Sequence, residues 1–233
     1  MTKVAIFHTS AATLSLFQSL TARIMPDVQI MHIIEDSMIR DVMKNGGPNT
    51  AVNARIAGYV QEAERAGCAM FMTACSSIGA SVEQCQFLTS MPLMRVDEAM
   101  VEAAIEKGPR VAVLATVETT LRPTLEIIRR KARESGKQID LRPHLMADAF
   151  TALLAGDHAT HDRIVSAGLK EALANSDVVV LAQASMARVM EGMETPAVPV
   201  LTSPESGVTR LRMRLDTMAE GKTKVARETA VLS

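Results

Sequence analysis

Eight short apolar runs alternate with amphipathic stretches along this chain, and that alternation limits the fold more than any other feature. The runs are KVAIF, DVQIMHII, CAMFMTA, PLMRV, RVAVLAT, IDLRPHL, DVVVLAQA and PAVPVLT, and segments such as NTAVNARIAGYVQEAERAG and HDRIVSAGLKEALANS separate most of them. A short apolar run bounded by turn residues reads as a buried strand, whereas apolar residues three and four apart read as a helix with one buried face. Strand alternating with helix at this spacing predicts parallel sheets in an α/β protein.

The runs also repeat. KVAIFHTSAATL (residues 3–14) and RVAVLATVETTL (110–121) align without gaps, sharing Val, Ala, Thr, Thr and Leu, with Lys3 opposite Arg110. MFMTACSSIG (70–79) and VVVLAQASMA (178–187) align at the same offset to within one residue, matching Ala74 with Ala182 and Ser77 with Ser185. Any two strand-to-helix starts share β-branched strands and small polar turns. Two matches at one offset, however, are what a duplication leaves behind. The expected architecture is therefore an α/β protein of two similar halves with mainly parallel sheets, related by a pseudo-two-fold axis and separated by a cleft. Residues 1–97 with about 205–233 are expected to form the first half and 98–204 the second. Cys75 then stands on one wall of the cleft and Gln183 at the equivalent place on the other.

Composition narrows the ligand. A chain of 233 residues, 48% hydrophobic and 22% charged, can bury a proper core. A formal net charge of −1 with dispersed basic residues leaves no electrostatic footprint for a nucleic acid or an anionic membrane. Aromatic content of 3% without Trp removes the platforms on which bases stack. A small, polar ligand is expected. No window approaches a membrane span and the chain opens on the strand-like Lys3–Phe7, so a cytoplasmic location is expected. Three cysteines are an odd, sparse set that argues for reduced thiols, with no zinc spacing among them. There is no GxGxxG and no P-loop to hold a nucleotide, and the sixteen methionines read as gap-filling core residues.

The stretch TACSSIGAS (73–81) follows an apolar run and precedes a helical segment, which puts Cys75 at the carboxyl end of a strand. That edge is where open α/β sheets bind ligands. Backbone N–H groups of the turn through Ser76 and Ser77 favour a thiolate there. Such a thiol could act as a general base on a Cα–H, a general acid toward an enediolate, or a nucleophile on an activated double bond. Cys68 and Cys85 are expected to pack in the core.

A first strand ending in His8-Thr9-Ser10, the TACSS turn, LATVETT (Leu114 to Thr120) and DVVVL before a turn together resemble the aspartate/glutamate/hydantoin racemase superfamily. Their order and spacing cover nearly the whole chain. The resemblance implies two α/β halves facing each other across a cleft, no cofactor, and a thiol from each half. One thiolate would remove the proton α to a carboxylate while the opposite thiol returns a proton to the other face. Cys75 falls on the first of these positions. The second falls in Leu181-Ala182-Gln183-Ala184-Ser185-Met186, where Gln183 stands in place of a cysteine. Glutamine carries only amide donors and a carbonyl acceptor, so it exchanges no proton at neutral pH, and a symmetrical two-thiol racemisation is not expected.

The resemblance thus implies a cofactor-independent racemase or isomerase acting at the carbon α to a carboxylate of a small acid, with Cys75 transferring a proton or attacking. The alternatives are a single-cysteine decarboxylase similar to arylmalonate decarboxylase and a non-catalytic protein that binds a small carboxylate. Candidates for a second acid or base are His8, Glu118 and Glu205. Ser10, Ser76, Ser77, Thr116, Thr119, Thr120, Gln183 and Ser185 are candidates to hold the carboxylate. Helix capping is the commoner work of Ser and Thr at such turns, as first-turn placement against the dipole is for Glu. His32 reads as a core histidine, and His144, His158 and His161 as solvated residues of loops or helix starts. No metal site is expected, and the family points to a homodimer or higher homo-oligomer. The polar segment 222–233 is expected to fray.

Overall fold

Two four-stranded sheets, every strand parallel to its neighbours, form the frame of the protein in this computed structural model. The structure describes residues 1–190 and 193–221 in full, and the expectation for 222–233 lies outside the residues so described. The first sheet runs β2 (Gln29–Ile34), β1 (Lys3–His8), β3 (Met70–Thr73) and β4 (Leu93–Arg95). The second runs β6 (Asp140–Leu145), β5 (Arg110–Ala115), β7 (Val178–Leu181) and β8 (Val200–Thr202). All eight expected runs are strands. The order of the first sheet recurs in the second, with β5 in the place of β1 and β7 in the place of β3, so the two halves are similar in topology as well as in sequence.

Helices cover both faces of each sheet, which is why the central strands β1, β3, β5 and β7 are mostly apolar instead of alternating. Side chains of a strand point alternately to opposite faces. In β1, Ala5 and Phe7 meet Met38 and Val42 of α2 (Met38–Lys44) and Val52, Ile56 and Val60 of α3 (Thr50–Arg65). Val4 and Ile6 meet Phe17 and Leu20 of α1 (Leu14–Ile24) on the other face. That second layer also holds Val208, Leu211 and Leu215 of α9 (Ser203–Val231), which returns from the end of the chain. In the second sheet, Val111, Val113 and Val180 pack against α5 (Glu98–Lys107) and α6 (Glu118–Glu134), while Leu114, Val179 and Leu181 pack against α7 (Ala147–Leu154) and α8 (His158–Asn175).

A buried ion pair lies under the turn that follows β3. Arg95, at the end of β4, donates from Nε and Nη2 to the two carboxylate oxygens of Asp97, both bonds 2.8 Å, and the residues are 3% and 0% exposed. A Cβ added to Gly79, the first residue of α4 (Gly79–Gln84), would fall inside the van der Waals radius of this guanidinium. The turn after Cys75 therefore needs glycine at that place for close approach, as its φ is not positive.

Two histidine expectations are corrected. His161 is fully buried on the inward face of α8, its Nδ1 2.8 Å from Asp162 Oδ1, because its helical position turns it toward the second sheet. His144 lies in β6, half-buried. Among the described residues, no helix is long and apolar enough to cross a membrane, and no cluster of three His, Cys, Asp or Glu is placed to hold a metal ion.

Candidate active site

The carboxyl ends of strands from both sheets open onto one cleft of about 590 Å³. Thr9, Ser10 and Thr13 reach it after β1, Cys75, Ser76 and Ser77 after β3, Val117 and Thr120 after β5, and Gln183, Ala184 and Ser185 after β7. The duplicated turns thus face a common space, as expected for parallel sheets whose ligand sites lie beyond the strand ends.

Cys75 is half-buried in this lining. It occupies the N-cap position of the 3₁₀ turn Ser76–Ile78, with φ −123° and ψ 116°. Thr73 holds the turn from behind, accepting at Oγ1 from the Cys75 N–H at 3.2 Å. The other two thiols are buried elsewhere in the first-half core. Burial pushes both Cys68 and Cys85 above the usual thiol range, which keeps them protonated and unreactive.

On the opposite wall Gln183 is fixed by its carbonyl. Oε1 accepts from the Thr116 N–H at 2.6 Å and from the Thr116 hydroxyl at 3.0 Å. With its acceptor engaged, the side chain offers the cleft its amide N–H groups. Thr116, 1% exposed, is thus a support for Gln183 and not itself part of the lining. Thr119 also stands outside the lining. Thr120 does line the cleft, and its Oγ1 is 2.9 Å from Ser77 Oγ. Ser10 caps the 3₁₀ turn Ala11–Thr13 by accepting from the Ala12 N–H at 3.2 Å.

His8 lies one layer behind. It is fully buried at the end of β1, with Nδ1 3.0 Å from Thr13 Oγ1 and Nε2 3.0 Å from His32 Nδ1. Burial, reinforced by the neighbouring His32, lowers its pKa to about 4, so the ring is neutral near pH 7. Burial also lowers His32.

Neither candidate glutamate is among the residues lining the cleft. Glu118 begins α6 with its side chain exposed. Glu205, in the first turn of α9 and 61% exposed, pairs with Arg23 of α1 at 2.8 Å. Both hold helix-start positions where a carboxylate complements the dipole. Neither carboxylate is thereby placed to exchange a proton inside the cleft.

The outer walls come from residues that the sequence offered no reason to single out. Ile39 and Met43 of α2 and Phe150, Leu153 and Leu154 of α7 line the mouth. These helices are equivalent in the duplication, each following the second strand of its half. Arg40 is the one cation among the described lining residues, and none of them is acidic. Thr13 was also legible in principle, since the repeat sets it opposite Thr120.

A family model described as Asp/Glu/Hydantoin racemase matches residues 8–211. Among solved structures, the chain is similar to glutamate racemase isoform RacE1 from Bacillus anthracis, with a TM-score of 0.71 and 16% identity over 93% of this chain and 82% of that one. It is also similar to an aspartate racemase from Picrophilus torridus (TM-score 0.65, 13% identity, 88% and 90% of the two chains). A third is an allantoin racemase from Klebsiella pneumoniae (TM-score 0.58, 16% identity, 95% and 89%). Identities this low speak for the shared fold alone. No curated protein sequence matches the chain.

Proposed function

The chain belongs to the Asp/Glu/hydantoin racemase family, and from that membership we propose that it is a cofactor-independent enzyme of the racemase type, acting at the carbon α to a carboxylate of a small acid through Cys75. The observation that carries this reading is the position of Cys75, the one thiol of the three that opens on the cleft, set among hydroxyls contributed by both halves. Removing an α-proton builds negative charge on the substrate carboxylate. The hydroxyls of Ser10 and Ser185, the one member of the Ser77–Thr120 pair whose proton is not spent on its partner, and the amide of Gln183 are donors placed to stabilise that charge, which is where fixed dipoles lower a barrier most. Cys75 then takes or returns the proton on its own face.

The composition of the walls refines the substrate. A buried ammonium group needs an acidic partner, and the described lining residues supply none. Apolar side chains of α2 and α7 instead favour an acid whose remaining part is hydrophobic, less polar than the composition of the chain alone led us to expect. Arg40 in the lining, whose exposed pairing with Asp36 is loose at 4.0 Å, is available to a second carboxylate. One-sided protonation, as in decarboxylation of a substituted malonate, is the second reading, and Gln183 favours it by leaving a single thiol in the cleft.

Proton NMR in heavy water tests the proposal with amino acids, hydantoins, hydroxy acids and alkyl- or aryl-substituted malonates and acetates. The expected result is deuterium incorporation or carbon dioxide loss for acids with an apolar arm, abolished in Cys75→Ala. Binding of such acids without either reaction would instead identify a carboxylate-binding protein, and turnover limited to aspartate or glutamate would overturn the substrate reading.

A further inference from the structure

We propose that Thr13, His8 and His32 form a proton path between the cleft and a separate solvent recess, serving the wall that lacks a second thiol. This rests on the function proposed above. Three observations converge on it.

Connectivity comes first. Thr13 lines the cleft and its Oγ1 is 3.0 Å from His8 Nδ1. His8, with no exposed surface, reaches His32 Nδ1 from Nε2 at 3.0 Å. His32 in turn borders a recess on the far side of α1, shared with Gln18, Thr21 and Ile30 and distinct from the cleft. A fully buried imidazole is thereby hydrogen-bonded on one side to a residue of the cleft and on the other to a residue of the recess.

The duplication supplies the second observation. Thr120, the equivalent of Thr13, bonds to Ser77 on the turn that carries Cys75. Thr13 itself lines the same cleft as the turn that carries Gln183 and Ser185. At the place of His8 the second half has Ala115, and at the place of His32 in β6 it has Pro143. The second half, whose Thr120 bonds across to Ser77, has no histidine pair behind it, and the first half, whose Thr13 lines the cleft, has one.

Chemistry is the third. Each neutral imidazole has one N–H and one acceptor nitrogen. In one arrangement His32 Nδ1–H donates to His8 Nε2, His8 Nδ1–H donates to Thr13 Oγ1, and the Thr13 hydroxyl turns from its long 3.5 Å bond to the Ser10 carbonyl to point its proton into the cleft. When that proton passes to a substrate carbanion, Thr13 takes the proton from His8 Nδ1, His8 Nε2 takes the one from His32 Nδ1, and His32 Nε2 takes one from recess water. One proton enters at the recess, one leaves into the cleft, and both rings finish neutral in the opposite tautomer. The reverse sequence exports a proton. The lowered pKa of His8 suits this transfer, since a ring held as a cation would block the tautomer exchange.

Two measurements test the path, the first without any substrate. In 15N-histidine-labelled protein transferred to heavy water, the ring proton of His8 is expected to exchange rapidly and to slow by about tenfold or more in His32→Phe. A ring proton that persists for hours in the folded native protein closes the path and overturns the proposal. The second measurement uses an acid whose α-proton the native protein exchanges. His32→Ala is expected to lower delivery of deuterium to the face opposite Cys75, relative to the Cys75 face, by about tenfold or more, with imidazole in the buffer restoring it and KM little changed. Thr13→Val is expected to produce the same imbalance without rescue. Equal loss at both faces, or no rescue of a folded His32→Ala, would mean that the histidines only support the β1 and β2 packing. If no acid exchanges at all, the proposed function falls, and the substrate-free measurement still decides whether the path conducts.

Discussion

The hydroxyls of Ser77 and Thr120 meet at 2.9 Å, joining the turn that carries Cys75 to the first helical turn of the opposite half. Both residues are nearly inaccessible. A neutral hydrogen bond in such a place contributes about 1 kcal/mol, and a buried hydroxyl left without a partner costs about 1–3 kcal/mol. Thr120→Val is therefore expected to lower unfolding free energy by about 1–2 kcal/mol in urea melts. Under the proposed function, turnover through Cys75 should fall by a larger factor than that loss of stability explains, because the thiol loses its alignment with the donors across the cleft.

Thiol chemistry separates the three cysteines without a substrate. Cys75 is half-buried on the cleft, while Cys68 and Cys85 are buried and held protonated. Treatment of the folded protein with iodoacetamide, followed by peptide mass spectrometry, is expected to modify Cys75 first and to leave the other two until denaturant is added. An acid that occupies the cleft should slow that modification. Labelling of Cys85 ahead of Cys75 would contradict the assignment.

Glycine substitutions give a paired prediction for stability. Replacing Gly by Ala inside a helix ordinarily stabilises by roughly 0.5–1 kcal/mol. Gly58, in the middle of α3, has open space where a Cβ would go, so Gly58→Ala is expected to follow that rule. Gly79→Ala is expected to reverse it, because the added methyl displaces Arg95 from its two bonds to Asp97, and disrupting a buried ion pair costs about 3–5 kcal/mol. Equal melting temperatures for the two variants would refute this account of the turn.

His8 makes stability depend on acidity in a defined window. An unfolded histidine titrates near 6.5, and folded His8 at about 4. Between these values the unfolded chain binds the extra proton, so this contribution is fully present above about pH 6.5 and is lost as pH falls toward 4. Its size is of order 3 kcal/mol. Urea titrations of the native protein and of His8→Gln at pH 4.5 and pH 7 should show a steeper decline in the native protein, and parallel declines would rule the buried ring out as the cause.

Much of this was legible because it is local. Strand runs and the turn after β3 are written in neighbouring residues, and the duplication alone implies a cleft between two halves. What was not legible depends on pairing between distant segments. Ile39 and Phe150 look like core residues in their helices, and only the closure of two halves turns them toward a shared mouth. Glu205 could be moved from cleft to surface only by knowing that Arg23 stands beside it. The His8–His32 contact follows from the register that sets His32 beside Ile6, two residues from His8 on the same face of the sheet.

The return of α9 to the first sheet reverses the order in which the halves can be finished on a ribosome. The cores flanking β5 and β7 draw on side chains between residues 100 and 201, all of them available once that stretch has emerged. The layer over Val4, Ile6 and Met72 needs Val208, Leu211 and Leu215 as well. The half synthesised first must wait, one face uncovered, until residues 208–215 leave the exit tunnel, and the half synthesised second closes its core ahead of it.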